Sequence, residues 1–438
     1  MMKRKLATLI LVMITIVALT AQVTHAQDPA PNLTGNWQGM LPAGKGLRLV
    51  LQIATADTGA SYATLYSIDQ SSDGIPISSL TLQGSNFKFA IPAIASAYEG
   101  TVSTDGGSIQ GTWVQGKNSL PLTFQRTTKA TAWPTDSSPH SVQFITVDDN
   151  VKLEVLDWGG SGRPLILLAG LGDTAHRFDA FAPKLTATYH VYGITRRGFG
   201  ASSAPVPANN NYSADRLADD VLAVVNALKL THPVLAGHSI AGEEMSSIAT
   251  RHPEKVAGLV YLDAGYSYAF YDRSRGDLNI DSIELRKKLA QIVPGMDQKA
   301  MMQELLQVSL PQYEKDLQEQ LKTLQVMPAP PTAAQMAHMP PANSAVTGGE
   351  QKYTDIHVPV LAFFAVPHDF AQAFQGDPAA RAAAEASDLS RTGAQADAFE
   401  QGISSARVVR LPHANHYIFL SNEADVLREL NAFIGKLP

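Results

Sequence analysis

The chain has 438 residues, a formal net charge of −6 and no cysteine. The absence of cysteine excludes disulfides, thiolate metal sites, a cysteine nucleophile and an acylated cysteine anchor. The acidic balance, without an extended Lys/Arg-rich segment, argues against a nucleic-acid partner. Hydrophobic residues make up 45% of the chain. That fraction is enough for sizeable cores, and the length predicts two or three domains.

The N-terminus has the pattern of a secretory signal peptide. Lys3-Arg4-Lys5 is followed by an apolar run from Leu6 to about Leu19, and Thr24-His25-Ala26 precedes Gln27. The run is shorter than the ~20 residues that a membrane-spanning helix needs. We therefore predict a signal peptide over residues 1–26 and an exported protein, periplasmic or extracellular, with no stable membrane insertion after cleavage.

Residues 33–126 have the pattern of a separate all-β domain. Short runs rich in Leu and β-branched residues alternate with Gly, Asp, Asn and Ser clusters, which predicts a meander closing into a small barrel or sandwich. The predicted strands are Leu47–Ala54, Tyr62–Ile68, Ser79–Gln83, Phe87–Ile91, Ser108–Gln115 and Ser119–Arg126. Gly35-Asn36-Trp37 and Gly111-Thr112-Trp113 resemble the G-x-W strand of lipocalin-like barrels. A linker is predicted at 127–140, which is rich in Thr, Ser and Pro.

From residue 141 onward, apolar strands alternate with amphipathic helices, which predicts a mostly parallel sheet. Strands are expected at Val142–Val147, Leu153–Trp158, Pro164–Ala169, His190–Thr195, Val234–Gly237, Gly258–Asp263, Pro359–Ala365 and Arg407–Leu411. Helices are expected after Ser213, after the fifth strand and over Glu423–Lys436. Residues 265–357 separate the sixth and seventh strands. Their helical patches predict a lid over a cleft, and helices that pack on the domain without covering a cleft are the open alternative.

The most informative motif is Gly237-His238-Ser239-Ile240-Ala241-Gly242, directly after the fifth strand. A serine flanked by small residues in a tight strand-to-helix turn is typical of a nucleophile elbow, although Ala241 replaces the second glycine of G-x-S-x-G. The turn exposes the hydroxyl of Ser239 and leaves the N–H of Ile240 free to bind an oxyanion.

A serine nucleophile needs a histidine base and a carboxylate that orients it. His416, in the loop after the last strand, is the expected base, with His413 as its competitor. Asp369, which follows the seventh strand, is the expected acid. Asp263 ends the sixth strand and stays open as the alternative acid.

Residues 141–438 resemble the α/β-hydrolase superfamily through the elbow, the acid and histidine segments, Ala169-Gly170-Leu171 and Arg196-Arg197-Gly198-Phe199-Gly200. The resemblance implies an eight-stranded sheet with a helical lid, and Leu171 as the second oxyanion donor. Two positions depart from the family pattern. Ala169 replaces a histidine and Thr195 replaces an aspartate, which puts the rigidity of their loops in doubt.

These features predict an exported serine hydrolase that cleaves esters of small or medium acyl groups without a metal or organic cofactor. Epoxide hydrolases and haloalkane dehalogenases are disfavoured, since those relatives carry an aspartate where this chain has Ser239. A serine aminopeptidase or another acyl hydrolase is the nearer alternative, in which Glu243 or Glu244 binds a substrate amine. The simpler explanation of these two glutamates is an acidic first helical turn that interacts with the helix dipole. A ligand-binding protein with a non-catalytic hydrolase domain is the more distant alternative.

Overall fold

The computed structural model describes residues 31–438 apart from 44–45, 56–60, 69–73, 78, 129–130, 134–138, 293–297, 326–340 and 372. The predicted signal peptide lies outside the described residues, as do part of the predicted linker and most of the Pro/Met-rich part of the predicted lid. Within the described part of the chain, no helix is both long and apolar enough to cross a membrane.

Nine antiparallel strands form an N-terminal half-barrel sheet in the order β4-β3-β2-β1-β9-β8-β7-β6-β5. The strands are β1 (Gly35–Leu41), β2 (Leu47–Thr55), β3 (Ser61–Ser67), β4 (Gly74–Pro76), β5 (Ser79–Gln83), β6 (Asn86–Ile91), β7 (Ser96–Val102), β8 (Ser108–Gln115) and β9 (Asn118–Arg126). The six predicted strands are all present. Alternate residues of most strands are buried, as expected of a sheet with one face on a core. Trp37 and Trp113 both lie in that core, 0% and 3% exposed.

Eight strands form a second, mostly parallel sheet in the order β10-β11-β13-β12-β14-β15-β16-β17. They are β10 (Ser141–Asp148), β11 (Val151–Gly159), β12 (Pro164–Leu168), β13 (His190–Ile194), β14 (Val234–His238), β15 (Gly258–Leu262), β16 (Val360–Ala365) and β17 (Ala406–Leu411). In the described residues, β11 pairs antiparallel with both β10 and β13, and the other neighbouring strands pair in parallel. The eight strands predicted for this part of the chain are confirmed, with the elbow after the fifth.

Helices cover both faces of this sheet. They are α1 (Ala214–Ala227), α2 (Ala241–Arg251), α3 (Leu278–Ala290), α4 (Lys299–Glu304), α5 (Leu310–Leu324), α6 (Pro341–Thr347), α7 (Pro378–Gly402), α8 (Ile418–Ser421) and α9 (Glu423–Ile434), with a π-helical turn at Leu305–Ser309. Residues of α1, α2 and α7 pack in the core on one face of the sheet. The short 3₁₀ turns at 175–178 and 182–184 pack on the other face with α8 and α9.

This arrangement brings the loops after β12, β14, β15 and β16 to one edge of the sheet. β14 lies between β12 and β15, and β15 pairs with β16 in parallel register. In open α/β sheets, ligands bind at the carboxyl ends of the strands. The turn with Leu171, the elbow with Ser239 and the acid positions therefore converge by topology alone.

Candidate active site

Ser239 occupies the strained turn between β14 and α2. Its φ is +54°, in the left-handed region that a non-glycine residue rarely adopts. Its N–H donates to the carbonyl of Leu262 at 3.4 Å, and its own carbonyl accepts from Gly242 N at 3.0 Å. These contacts hold the turn against the end of β15. Strain of this kind is concentrated at functional sites, where surrounding contacts maintain it.

Glycine is required at two places around the turn. A Cβ on Gly242 would lie 2.1 Å from the backbone oxygen of Ala264, so α2 could not approach the end of β15 as closely. A Cβ on Gly170 would lie 3.2 Å from the Cβ of Ser239 and 2.8 Å from the imidazole of His238. The one-residue shift of the second glycine, with Ala241 before it, therefore still allows a tight elbow.

The two residues predicted to donate to the oxyanion, Ile240 and Leu171, pack in the same hydrophobic cluster. Ile240 precedes the first turn of α2, and Leu171 lies in the loop after β12, where Asp173 N donates to Gly170 O at 3.3 Å. Among the described residues, neither the N–H of Ile240 nor that of Leu171 donates to a partner. Both donors are thus available to an oxygen that develops negative charge above Ser239.

Arg196 fixes the loop that carries Leu171. Its guanidinium donates to the carbonyls of Ala169 at 2.9 Å and Gly170 at 3.2 Å, and it is buried in an ion pair with Glu244. The loop is therefore held without the histidine that Ala169 replaces. Sequence reasoning missed this role, because nothing local links Arg196 to a loop more than twenty residues earlier.

Thr195, which replaces the aspartate of the family pattern, forms two further hydrogen bonds that stabilise its loop. Its hydroxyl accepts from Ala175 N at 3.0 Å and donates to Glu154 at 2.7 Å. The two departures that put loop rigidity in doubt are thus each accompanied by a buried hydrogen-bond network.

Asp263 holds the imidazole of His416. Nδ1 of His416 donates to Asp263 Oδ2 at 2.6 Å, and Asp263 Oδ1 accepts from the backbone N–H of Ala365 at 2.9 Å. Asp263 is fully buried and directly follows Leu262, the register partner of His238. Burial raises the pKa of Asp263, but hydrogen bonds from His368 and His416 outweigh burial and lower it to about 2. The carboxylate is therefore ionised and able to fix a histidine tautomer.

The structure does not bring Asp369 to His416, which corrects the first choice of acid made from the sequence. The side chain of Asp369 is 42% exposed; it accepts from Ala371 N at 2.8 Å and lies 3.8 Å from Arg381. His368, the preceding residue, forms a parallel bridge with Ala414 and directs its own side chain towards Asp263. Successive side chains in an extended segment point to opposite faces, so Asp369 faces outward.

His413, the competitor of His416, also faces away from this cluster. Its side chain is 56% exposed, and its nearest carboxylate is that of Glu385 at 3.8 Å. The backbone of His416 is fixed separately by His238, whose Nε2 donates to the His416 carbonyl at 3.1 Å. Burial, with repulsion from His416, lowers the pKa of His238 to about 3, so this imidazole is neutral.

His368 extends the acid into a chain of four groups. Its Nε2 donates to Asp263 at 2.9 Å and its Nδ1 to Asp388, on α7, at 2.8 Å. Burial lowers the pKa of His368, but the two carboxylates outweigh burial and raise it to about 9. A cationic His368 therefore compensates the buried charge of Asp263. The sequence signal for this role was that His368 directly precedes the predicted acid Asp369, but we predicted no role for His368 from the sequence.

A second group of acids consists of Glu243 and Glu244 on α2 and Glu350, which follows α6. Glu243 is fully buried, and neither of its carboxylate oxygens has a hydrogen-bond partner among the described residues. Burial raises its pKa well above the ordinary value, with further contributions from Glu350 and Glu244. Burial also raises the pKa of Glu350, to about 7. Tyr268 lies close enough to Ser239, Glu243 and Glu350 for all three to affect its pKa, which burial raises well above the ordinary value.

The model of the α/β hydrolase fold matches residues 163–423, more than half of the chain. The chain belongs to the α/β-hydrolase family. The matched region contains the elbow, both candidate acids and His416, whereas the N-terminal sheet lies before it.

Individual relatives match shorter segments. A fluoroacetate dehalogenase from a Burkholderia species is 34% identical over 116 residues, which is 26% of this chain and 38% of that protein. A putative carbamate hydrolase from Caulobacter segnis is 33% identical over 116 residues, covering 26% of this chain and 43% of the relative. The chain thus spans less than half the length of these two relatives. The solved structure of a thermophilic esterase from Thermogutta terrifontis aligns with 68% of this chain and 98% of its own, at 20% identity and a TM-score of 0.43.

Proposed function

We propose that the protein is a serine hydrolase that cleaves carboxylic esters through an acyl-enzyme. Ser239 attacks the carbonyl carbon, and His416 takes the hydroxyl proton and later delivers it to the leaving alkoxide. Asp263 orients His416, and the N–H groups of Ile240 and Leu171 stabilise the oxyanion. The observation that carries the proposal is the 2.6 Å contact between His416 and Asp263, beside the strained turn that exposes Ser239.

The second half of the cycle uses the same groups. A water molecule that replaces the alcohol loses its proton to His416 and attacks the acyl-enzyme, and Ser239 leaves with the proton returned from His416. No step needs a redox partner or an added nucleophile. A small-molecule ester is therefore a sufficient substrate, and export to the periplasm or beyond is the setting that we propose from the N-terminal sequence.

A panel of p-nitrophenyl esters of increasing acyl length tests this proposal on the purified full-length protein. We expect hydrolysis of short and medium esters and loss of the activity in Ser239→Ala, by roughly 10⁴–10⁶ in kcat. Hydrolysis at an undiminished rate by Ser239→Ala would contradict the proposal.

A serine aminopeptidase is the second candidate, and Glu243 is the observation that favours it. A buried carboxyl with no hydrogen-bond partner among the described residues, near Glu350, is suited to accept a substrate ammonium, which would offset the cost of ionising both acids. Aminoacyl p-nitroanilides distinguish the two candidates. Activity on free-amine substrates that falls in Glu243→Gln, while N-acetylated esters are hydrolysed as before, would favour the aminopeptidase.

A further inference from the structure

A compact group of nitrogen and oxygen donors lies outside the catalytic centre. Nδ1 of His140 is 3.2 Å from one carboxylate oxygen of Asp179, and Nδ1 of His176 is 3.1 Å from the other. One donor atom from each of the three residues lies within 4.8 Å of the other two. The side chains are 5%, 16% and 10% exposed, so the group is largely removed from bulk water.

The spacing fits a small tetrahedral metal ion. Zinc binds histidine nitrogen and carboxylate oxygen at about 2.0–2.2 Å, which places neighbouring ligand atoms of a tetrahedron roughly 3.3 Å apart. The two nitrogen-to-oxygen distances, each to a different oxygen of Asp179, are 3.1 and 3.2 Å, which is close to this spacing. Two imidazoles and one carboxylate also form a donor set that first-row transition metals prefer over Ca²⁺ or Mg²⁺.

A carboxylate behind one of the histidines strengthens this assignment. Nε2 of His176 lies 3.5 Å from Glu154 Oε1, and the other oxygen of Glu154 accepts from Thr195 at 2.7 Å. A metal-binding histidine usually donates its second N–H to such a carboxylate, which fixes the tautomer and raises ligand basicity. Nδ1 of His176 and Asp179 are within hydrogen-bonding distance at 3.1 Å. With the proton on Nε2 instead, the Nδ1 lone pair would face the carboxylate, and a cation between them would be bound by both.

We propose that His140, His176 and Asp179 bind one divalent transition-metal ion, with Zn²⁺ as the best fit and a fourth position for water. The sequence did not indicate this site, because His140 belongs to the predicted linker whereas His176 and Asp179 follow β12. The role we infer is structural. Tyr66 of β3 is partly buried and lies close enough to Glu154 and His176 for both to affect its pKa, which burial raises. The ion therefore ties the linker to the hydrolase sheet where the N-terminal sheet approaches, in a chain that has no cysteine for a disulfide.

Calorimetric titration of the untagged, chelator-treated full-length protein with ZnCl₂ tests the proposal, with visible spectroscopy of Co²⁺ as a second readout. We expect one Zn²⁺ per chain, a higher unfolding temperature with Zn²⁺, and the intense bands of tetrahedral Co²⁺. His140→Ala and Asp179→Asn should each weaken binding by about 100-fold or more, since loss of an outer carboxylate alone costs 10–100-fold. The conservative Asp179→Asn keeps the side-chain shape, and circular dichroism verifies that both variants fold.

Two control variants distinguish this site from other histidines. His190 pairs with Asp157 at 2.9 Å outside the cluster, so His190→Ala should bind Zn²⁺ as the wild type does. His368→Ala disrupts the other cluster of histidine and aspartate, around Asp263, and should also keep the binding. The proposal is overturned if the wild type binds no Zn²⁺, if binding survives in both His140→Ala and Asp179→Asn, or if it is lost in His368→Ala instead.

Discussion

Asp263 Oδ2 lies 2.6 Å from Nδ1 of His416, within hydrogen-bonding distance and fully shielded from solvent. The carboxylate reaches the imidazole from the end of β15, next to the strand that carries Ser239. The carboxylate that contacts the candidate base therefore follows the sixth strand of the second sheet, whereas we expected it after the seventh.

We predict that Asp263→Asn lowers kcat by about 10⁴, the loss seen when the acid of a serine-protease triad is changed to its amide. The neutral amide no longer provides a carboxylate that accepts the Nδ1–H hydrogen bond of His416, so the tautomer that acts as a base is no longer stabilised. Asp369→Asn is the matched control, because its exposed side chain contacts Ala371 and Arg381 and, among the described residues, does not contact His416. Steady-state kinetics on a p-nitrophenyl ester measure both variants, and a large loss in Asp369→Asn with a small one in Asp263→Asn would restore the original choice.

The free energy of unfolding should carry a pH dependence from His368. Folding raises the pKa of His368 from 6.5 to about 9. This group therefore contributes stability that is fully present below pH 6.5 and is lost as the pH rises through 9. We expect the difference in unfolding free energy between wild type and His368→Gln to shrink by roughly 1–3 kcal/mol from pH 6.5 to 9.5.

Denaturant titrations at several pH values measure this difference. Asp388→Asn should make the pH dependence smaller without abolishing it, because one of the two carboxylates that stabilise the protonated His368 is lost. A difference that is constant over this pH range would mean that His368 carries no extra proton in the folded state.

Arg196→Lys should lower kcat by about 10- to 100-fold with a smaller effect on KM, because a loosened loop displaces the N–H of Leu171 from the developing oxyanion. Arg197→Lys provides a matched control. Arg197 is also buried and pairs with Asp220 at 2.6 Å, but within the described part of the chain it donates to the carbonyl of Asn211 rather than to Ala169 or Gly170. We expect Arg197→Lys to reduce stability while the folded fraction keeps its kcat. Equal kinetic losses in the two variants would argue against a specific role of Arg196.

Gly242→Ala should reduce both stability and activity, since the added Cβ would lie 2.1 Å from the Ala264 carbonyl and push α2 away from β15. A loss of roughly 1–3 kcal/mol is typical of overpacking at such a contact. Gly393→Ala, in the middle of α7, meets no atom closer than 3.8 Å and should be neutral or stabilising by up to about 1 kcal/mol. Thermal unfolding compares the two, and an unchanged Gly242→Ala variant would mean that the elbow has room to relax.

The strands of the second sheet were predictable because they are buried apolar runs between turn residues, and the order of elbow, acid and histidine followed from them. The choice between Asp263 and Asp369 was not predictable, since each ends a strand and only the direction of the side chain separates them. That direction follows from the bridge between His368 and Ala414, two residues that are far apart in the sequence.

The 25-residue helix α7 also escaped prediction. Its buried positions include Asp388, Thr392 and Gln395 beside alanines, so the apolar stripe that marks an amphipathic helix is weak. These polar residues are buried because they have partners elsewhere: Asp388 binds His368, and Gln395 donates to the carbonyls of Gly265 and Phe270. These hydrogen bonds are tertiary contacts, which cannot be predicted from a single sequence.

The central claim is that Ser239 is the covalent nucleophile, and stoichiometric labelling with a fluorophosphonate tests it most directly. Intact-mass analysis should show one adduct per wild-type chain, and peptide mapping should place it on Ser239. Ser239→Ala should remain unlabelled. Ser246 is a buried serine of α2 whose hydroxyl is hydrogen-bonded to that of Tyr261 at 2.9 Å, and Ser246→Ala should be labelled like the wild type. An adduct on another residue, or labelling that persists in Ser239→Ala, would contradict the account.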